Sequence, residues 1–381
     1  MRGEEMRGLT VAAMLVVAML CPAPGSVHAE PIAAWPNWQP DLDRAVVVSG
    51  VPGAQLVVSG DSGDVQLNSG VGDIGTRAPF PDGAQMRIAS NTKAFVAAVA
   101  LQLVAEQRVD LDLPIDRYLP GVVTGPGGDG TRITVRNLLQ HTSGIPDYLD
   151  QVDLDSVAGM QRSRPASELI RVALDEPAEF EPGERWGYSN TNYLIVGSLI
   201  ERVTGLPVGV EVTRRIILPL GLQNTYWPVY PIEQVVRGPH PRSYLVRGTE
   251  RIDVTDIDPN WGLADGAMVA SGRDLNHFFM ALVSGRVVPP AQLEEMRRTI
   301  PTGVPLLDYE IGLGLFRKVN RCGMETWGHG GSITGSSVVG AATDRYAVTV
   351  AMNQLPTLAA SLALRGSIQD VIDTVMCDLA G

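Results

Sequence analysis

Ser90 and Lys93 stand one helical turn apart at the mouth of an apolar run, "IASNTKAFVAAVALQLVAEQ", that begins at Ile88. A serine hydroxyl attacks poorly until a base removes its proton and donors stabilise the oxyanion that follows. At i+3 the lysine amine overlies the same helix face as the hydroxyl. An ammonium with a pKa near ~10.4 is no base, but burial disfavours its charged form. From Lys93 to about Gln107 nearly every residue is apolar, so a helix here has no polar face and must be covered on all sides. Such a helix offers Ser90 the amide donors of its N-terminus and Lys93 a dry environment.

Two later segments hold residues of matching chemistry. In "YSN", alternate side chains share a side, so Tyr188 and Asn190 can point together into a cleft while Ser189 turns away. Tyr188 could relay protons; Asn190 could hold Lys93 and bind a substrate carbonyl. In "WGHGGS", Gly330 and Gly331 let a substrate lie against the backbone, and the amide of Ser332 is a second oxyanion donor beside that of Ser90. His329 could position the lysine or the tyrosine. Each segment alone has an ordinary reading: chance spacing, helix capping and packing, or a glycine turn with an incidental histidine. His141, Thr142 and Ser143, before Gly144 at an expected helix end, read as loop structure. His240 and His277 have no partners at metal-ligand spacing.

The elements that must position these groups follow from the pattern of the 381 residues, 45% hydrophobic and 19% charged. "AQLVVSG", "DVQLNSG" and "MRIAS" read as strands joined by turns. "ITVRNLLQHTSG", with a stop at Gly144, and "SNTNYLIVGSLIERVTG", with a stop at Gly205, read as helices, as does "ASGRDLNHFFMALVSG". Later, "YEIGLGLF", "SSVVGAAT" and "YAVTVAMN" read as strands, and "GSIQDVIDTVMCDL" as a closing helix. The order implies one α/β body assembled from residues 30–110 and 256–381, with a mostly helical segment, 111–255, inserted between.

A net charge of -12 disfavours nucleic acid as a partner. Arg7, an apolar stretch from Leu9 to Cys21, and "VHA" ending at Ala29 have the layout of a secretory signal peptide over 1–29. That stretch is short for a membrane span, so no transmembrane anchor is expected in the mature form. Export would leave Cys322 and Cys377 as the remaining cysteines, with a single intramolecular pairing worth ~4 kcal/mol in the chain-entropy model.

Taken together, Ser-x-x-Lys opening a buried helix, Tyr-x-Asn in the helical part and His-Gly-Gly on a late strand occur in the order used by the penicillin-recognising serine enzymes. The chain resembles the secreted D-alanyl-D-alanine carboxypeptidase/transpeptidases, the class C β-lactamases and related esterases of that family. "DRYLPG", "RITVRNLLQHTSGIPDY", "PGERWGYSNTNYLIVGSLIERVTG" and "SGRDLNHFFMALVSGR" extend the likeness through nearly all of the mature chain. It implies a β-lactamase/transpeptidase-like fold, an antiparallel sheet flanked by helices. It further implies an acyl-enzyme on Ser90, shared acid/base work by Lys93 and Tyr188, an orienting Asn190, and His329 beside the substrate. Trp261 matches a cleft tryptophan, and neither metal nor organic cofactor is implied.

One departure bears on substrate. In the carboxypeptidase relatives an arginine follows "GLGL" and a threonine follows the motif histidine, and both help bind the substrate's terminal carboxylate; here Phe316 and Gly330 stand there. Phe316 cannot make the bidentate contact of a guanidinium, and the side chain of Arg317, next along a regular strand, faces the other way. The first expectation is a secreted, monomeric D-alanyl-D-alanine carboxypeptidase-like hydrolase of cell-wall peptides. The rival hydrolyses esters, amides without a free carboxylate, or β-lactams; a catalytically silent peptide or β-lactam binder is a third reading.

Overall fold

The computed structural model describes residues 35–152, 164–229, 232–256, 263–303, 309–355 and 358–380, all within one unit, Trp35–Gly381. The expected signal peptide, 1–29, and Trp261 lie outside the described residues. Strands run in chain order as β1 (Gly53–Gly60), β2 (Gly63–Gly70), β3 (Gln85–Arg87), β4 (Tyr244–Arg247), β5 (Glu250–Asp253), β6 (Val269–Ser271), β7 (Ile300–Pro301), β8 (Tyr309–Ile311), β9 (Phe316–Val319), β10 (Glu325–Ile333), β11 (Ser336–Ala342) and β12 (Ala347–Met352). Eight of them form one antiparallel sheet in the order β2-β1-β12-β11-β10-β9-β8-β7. Residues from both ends of the chain thus share a sheet, whereas β3 pairs with β6 and β4 with β5 in two small ladders.

The central strands carry runs of β-branched residues because both faces are covered. Leu56 and Val58 of β1 and Val348 and Val350 of β12 pack on one face with Leu42, Val371 and Val375 of the terminal helices Gln39–Ser49 and Leu358–Ala380 and with Trp38, the N-cap of the first. Val57 and Thr349 face the opposite side, against the start of the helix Gly272–Val283, whose N-terminus Ser271 caps by accepting from the Asp274 amide. Cys322 is joined to Cys377, tying the turn after β9 to the last helix with Cα atoms 5.8 Å apart.

The apolar run after Ser90 becomes the helix Thr92–Ala105, buried continuously from Thr92 to Leu101 and again at Leu103. The helix Thr191–Thr204 ends at Gly205, which takes the left-handed φ of 75°. The helix expected to stop at Gly144 is shorter, Val135–Leu139. His141 adopts the left-handed φ of 57° there and turns the chain three residues early, its ring held by packing against Tyr188. Among the described residues no single helix is long and apolar enough to cross a membrane.

Candidate active site

Ser90 lies half-buried in a single 3₁₀ turn, Ala89–Asn91, directly before the Thr92–Ala105 helix. Ala89 has φ 46°, a left-handed conformation that costs a non-glycine residue ~1 kcal/mol and recurs where a site is held under strain. Asn91 fastens the turn to the sheet, donating to the carbonyls of Ile88 (2.9 Å) and Val338 (3.0 Å). Strand β10 presses on the turn at Gly331, where a Cβ would lie 2.1 Å from the Ile88 oxygen. Only glycine allows that approach.

Lys93 is fully buried, and its Nζ has three neighbours: Asn190 Oδ1 at 2.7 Å, the Asp265 carbonyl at 2.7 Å and Ser90 Oγ at 3.0 Å. The first two can only accept. They hold two Nζ hydrogens whatever the charge, so the remaining direction, a third hydrogen in the ammonium or the lone pair in the amine, points at Ser90. The rings of Tyr188 and Tyr193 stand 5.2 and 5.6 Å from Nζ.

The loop His141–Asp147 templates the Tyr188 and Asn190 segment. The His141 carbonyl accepts from the Gly187 amide at 2.9 Å, and its Nδ1 accepts from the Ser189 amide at 3.3 Å. The His141 ring stacks on Tyr188 with centroids 4.3 Å apart. The Pro146 carbonyl accepts from Ser189 Oγ (3.2 Å) and Thr191 Oγ1 (2.7 Å), so Ser189 does turn away from Lys93. Asp147 Oδ2 accepts from the Asn190 amide nitrogen (3.2 Å) and side-chain Nδ2 (2.7 Å). One hydrogen of the Asn190 amide, which the sequence suggested for a substrate carbonyl, is therefore already bound to a carboxylate.

Two acids lie beside the lysine. Burial pushes the Asp147 carboxyl above its usual range and raises Asp265 to about 6, against the opposing pull of Lys93 on both. Asp265 Oδ2 accepts from the buried Tyr148 hydroxyl at 2.9 Å, while Oδ1 is without a partner.

Across the cleft, β9 and β10 form a different wall. His329 is buried, and burial followed by repulsion from Lys93 lowers it to about 3, so the ring stays neutral. Its Nδ1 donates to the Gly330 carbonyl at 2.6 Å and its Nε2 has no partner. His329 makes no hydrogen bond to Lys93 or Tyr188, because the strand backbone takes its donor. Phe316 packs edge-on against His329 (5.0 Å between centroids) and Tyr309 (5.9 Å). Arg317 turns away, paired with Glu310 at 2.8 Å and Glu325 at 2.7 Å. Strand β9 pairs with β10 only over Glu325–Gly328, so the backbone of the exposed Ser332 lies beyond that ladder.

The structure thus gathers Ser90, Lys93, Tyr188 and Asn190 at one point, with Gly331 against the Ser90 turn and His329, packed on Phe316, close enough to feel the charge of Lys93. Asp147, Asp265 and the His141 stack escaped sequence reasoning. The available signal was "IPDY" and "LADG", where an aspartate interrupts an otherwise apolar stretch.

A fold of this topology with a serine, lysine and tyrosine so disposed defines a serine hydrolase. The Beta-lactamase family pattern matches residues 42–371, and the chain belongs to that family. Among solved structures it is similar to a D-stereospecific amidohydrolase from Streptomyces sp., 36% identical, with 83% of this chain and 93% of that chain covered and a TM-score of 0.77. It is also similar to the D-amino acid amidase of Ochrobactrum anthropi SV3, solved with L-phenylalanine amide, at 27% identity, 90% and 98% coverage and TM-score 0.78. Protein flp of Staphylococcus aureus (strain MW2) is 27% identical over 231 residues, 60% of this chain and 45% of the relative, so the chain spans about half the length of that curated protein. A Salmonella paratyphi A relative named for D-alanyl-D-alanine carboxypeptidase activity is 34% identical over 142 residues, 36% of this chain and 33% of the relative.

Proposed function

We propose that this serine hydrolase cleaves amides of D-amino acids whose leaving group carries no carboxylate, through an acyl-enzyme on Ser90. The observation that carries the reading is the β9–β10 wall: Phe316 packs on a neutral His329, and both cations of β9 are already paired, Arg317 with Glu310 and Glu325 and Lys318 with Asp373, so these strands offer a terminal carboxylate no unpaired cation among the described residues. The 36% identical D-stereospecific amidohydrolase supports the same substrate class.

In this reading Ser90 Oγ attacks the amide carbon and passes its proton to the Lys93 lone pair, which Asn190 and the Asp265 carbonyl aim at it. The backbone amides of Ser90 and Ser332 stabilise the oxyanion. As the C–N bond breaks, the proton travels through the Tyr188 hydroxyl to the leaving nitrogen, which departs as ammonia or an amine. Water then attacks the ester by the reverse relay, releasing the D-amino acid and restoring Ser90. All these groups come from one chain, so the reading needs no second copy.

The carboxypeptidase reading is the alternative, favoured by the Salmonella relative. Turnover of D-phenylalanine amide, a peptide ending in D-Ala-D-Ala with a free carboxylate, and a nitrophenyl ester separates the two. The amide and ester are expected to turn over faster than the peptide; preference for the peptide reverses the assignment. Export with cleavage near Ala29 is proposed as well, supported by the Cys322–Cys377 bridge, which suits an oxidising compartment. The mature N-terminus read by mass spectrometry tests it.

A further inference from the structure

We propose that Asp147 is a positioning residue for the reaction, acting through Asn190 to hold the lysine amine on the nucleophile. Asparagine at a helix entrance normally caps, its side chain accepting a backbone N–H of the first turn. Asn190 stands at the N-cap of the Thr191–Thr204 helix and makes no such bond. Its amide bridges Asp147 and Lys93 instead, Nδ2 donating to Asp147 Oδ2 at 2.7 Å and Oδ1 accepting from Lys93 Nζ at 2.7 Å.

The orientation of that amide is settled by chemistry. A carboxylate only accepts, so the NH₂ must face Asp147, and the oxygen on the other side is left to accept from Lys93, which donates to it as ammonium or as amine. With the opposite flip the amide oxygen would meet the carboxylate, and that contact would be repulsive. Without Asp147 the amide is free to rotate, and the Lys93 hydrogen now held by Asn190 is released from its direction. The line Asp147–Asn190–Lys93–Ser90 is therefore continuous, each link between 2.7 and 3.0 Å. Asp265 does not share this role, since its carboxylate serves Tyr148 and it meets Lys93 through the backbone carbonyl.

Asp147 also has a local duty, its Oδ1 accepting from the Leu149 amide at 3.1 Å at the start of the short turn Tyr148–Gln151. The experiment must separate that duty from the proposed one. It rests on Ser90 being the activated nucleophile, but not on the substrate class, because its readout is the rate at which a fluorophosphonate labels Ser90 in the full chain. Asp147→Ala is expected to slow labelling by about 10–100-fold, the weight of a charge-assisted hydrogen bond acting on the attacking group. Asp147→Asn, whose Oδ1 still accepts from Asn190, is expected to recover at least about tenfold of that loss.

The deciding measurement is a double-mutant cycle with Asn190→Ala. If Asp147 acts through Asn190, Asp147→Ala costs less than about threefold once Asn190→Ala is present. A loss as large as in the wild-type background assigns Asp147 to the Tyr148–Gln151 turn alone and overturns the proposal. Equal labelling of wild type and Asp147→Ala overturns it too, and a wild type that does not label overturns both this and the nucleophile assignment.

Discussion

The two walls of the cleft are built by opposite rules. On the helical side the polar atoms around Lys93, Asp265 Oδ1 apart, are tied: three partners on Nζ, both faces of the Asn190 amide engaged, and six hydrogen bonds between the His141–Asp147 loop and the segment Gly187–Thr191. On the sheet side Phe316 presents a ring, His329 Nε2 is left unbonded and the nearby guanidinium points elsewhere. A proton-transfer apparatus needs each hydrogen directed, because efficiency follows geometry at the level of single hydrogen bonds. A wall that selects substrate can be bare, since what it lacks decides what it rejects. On the proposed reading the chemistry of this protein resides in the first wall and its choice of substrate in the second.

The sharpest way to break that division is Lys93→Ala. It removes the atom on which the tied wall converges, and kcat/KM on a nitrophenyl ester should fall by about 10³–10⁴-fold. A fall below tenfold would mean that the buried amine is a structural cation. Gly331→Ala attacks the seam where the walls meet. A Cβ there would stand 2.1 Å from the Ile88 oxygen, so β10 or the Ser90 turn must shift. The expected cost is about 1–3 kcal/mol of stability in urea denaturation, with a loss of about 10²-fold in kcat that the same change at Gly330, where a Cβ has only Val339 at 3.9 Å, does not produce.

Much of the tied wall was legible because its parts recur at fixed spacing. Ser90 and Lys93 are three residues apart on an all-apolar run, and Tyr188 and Asn190 alternate at the entrance of a helix that Gly205 ends. The central strands announced themselves by β-branched runs. Illegible were the features that depend on partners distant in sequence. An aspartate in "IPDY" reads as a turn residue, and only folding brings it within 2.7 Å of an amide 43 positions away. The left-handed His141 could not be foreseen, because a histidine carries no local signal for φ 57° of the kind that Gly144 carries. "MRIAS" was readable as a strand, but with three residues in the strand its pairing with β6 rather than the main sheet was not.

Phe316→Arg sharpens the comparison from the other side by giving the bare wall a cation. On β9 this position faces His329, and a guanidinium there can reach a carboxylate that the wild type leaves unpaired. The ratio of kcat/KM for a D-Ala-D-Ala peptide over D-phenylalanine amide should rise about 10–30-fold, with labelling of Ser90 unchanged. An unaltered ratio would place substrate selection elsewhere than on β9 and β10.

The smallest effect expected is on stability, from Asp265→Asn, and its sign tests whether the tied wall holds charge at a cost. Burial raises the Asp265 carboxyl from 3.8 to about 6, so the folded chain keeps a proton that the unfolded chain releases over that window. Stability from this group is fully present below pH 3.8 and is lost as pH rises through about 6. Asparagine carries no titrating proton and can still accept from Tyr148, so the variant should match wild type in acid and exceed it at neutral pH. The difference is at most ~3 kcal/mol by linkage, and about 1 kcal/mol once the weaker bond from Tyr148 is deducted. Urea midpoints at about pH 4 and about pH 7.5 measure it. A variant less stable than wild type at the higher pH would mean that the attraction of Lys93 for the Asp265 charge stabilises the fold more than desolvation of that charge costs.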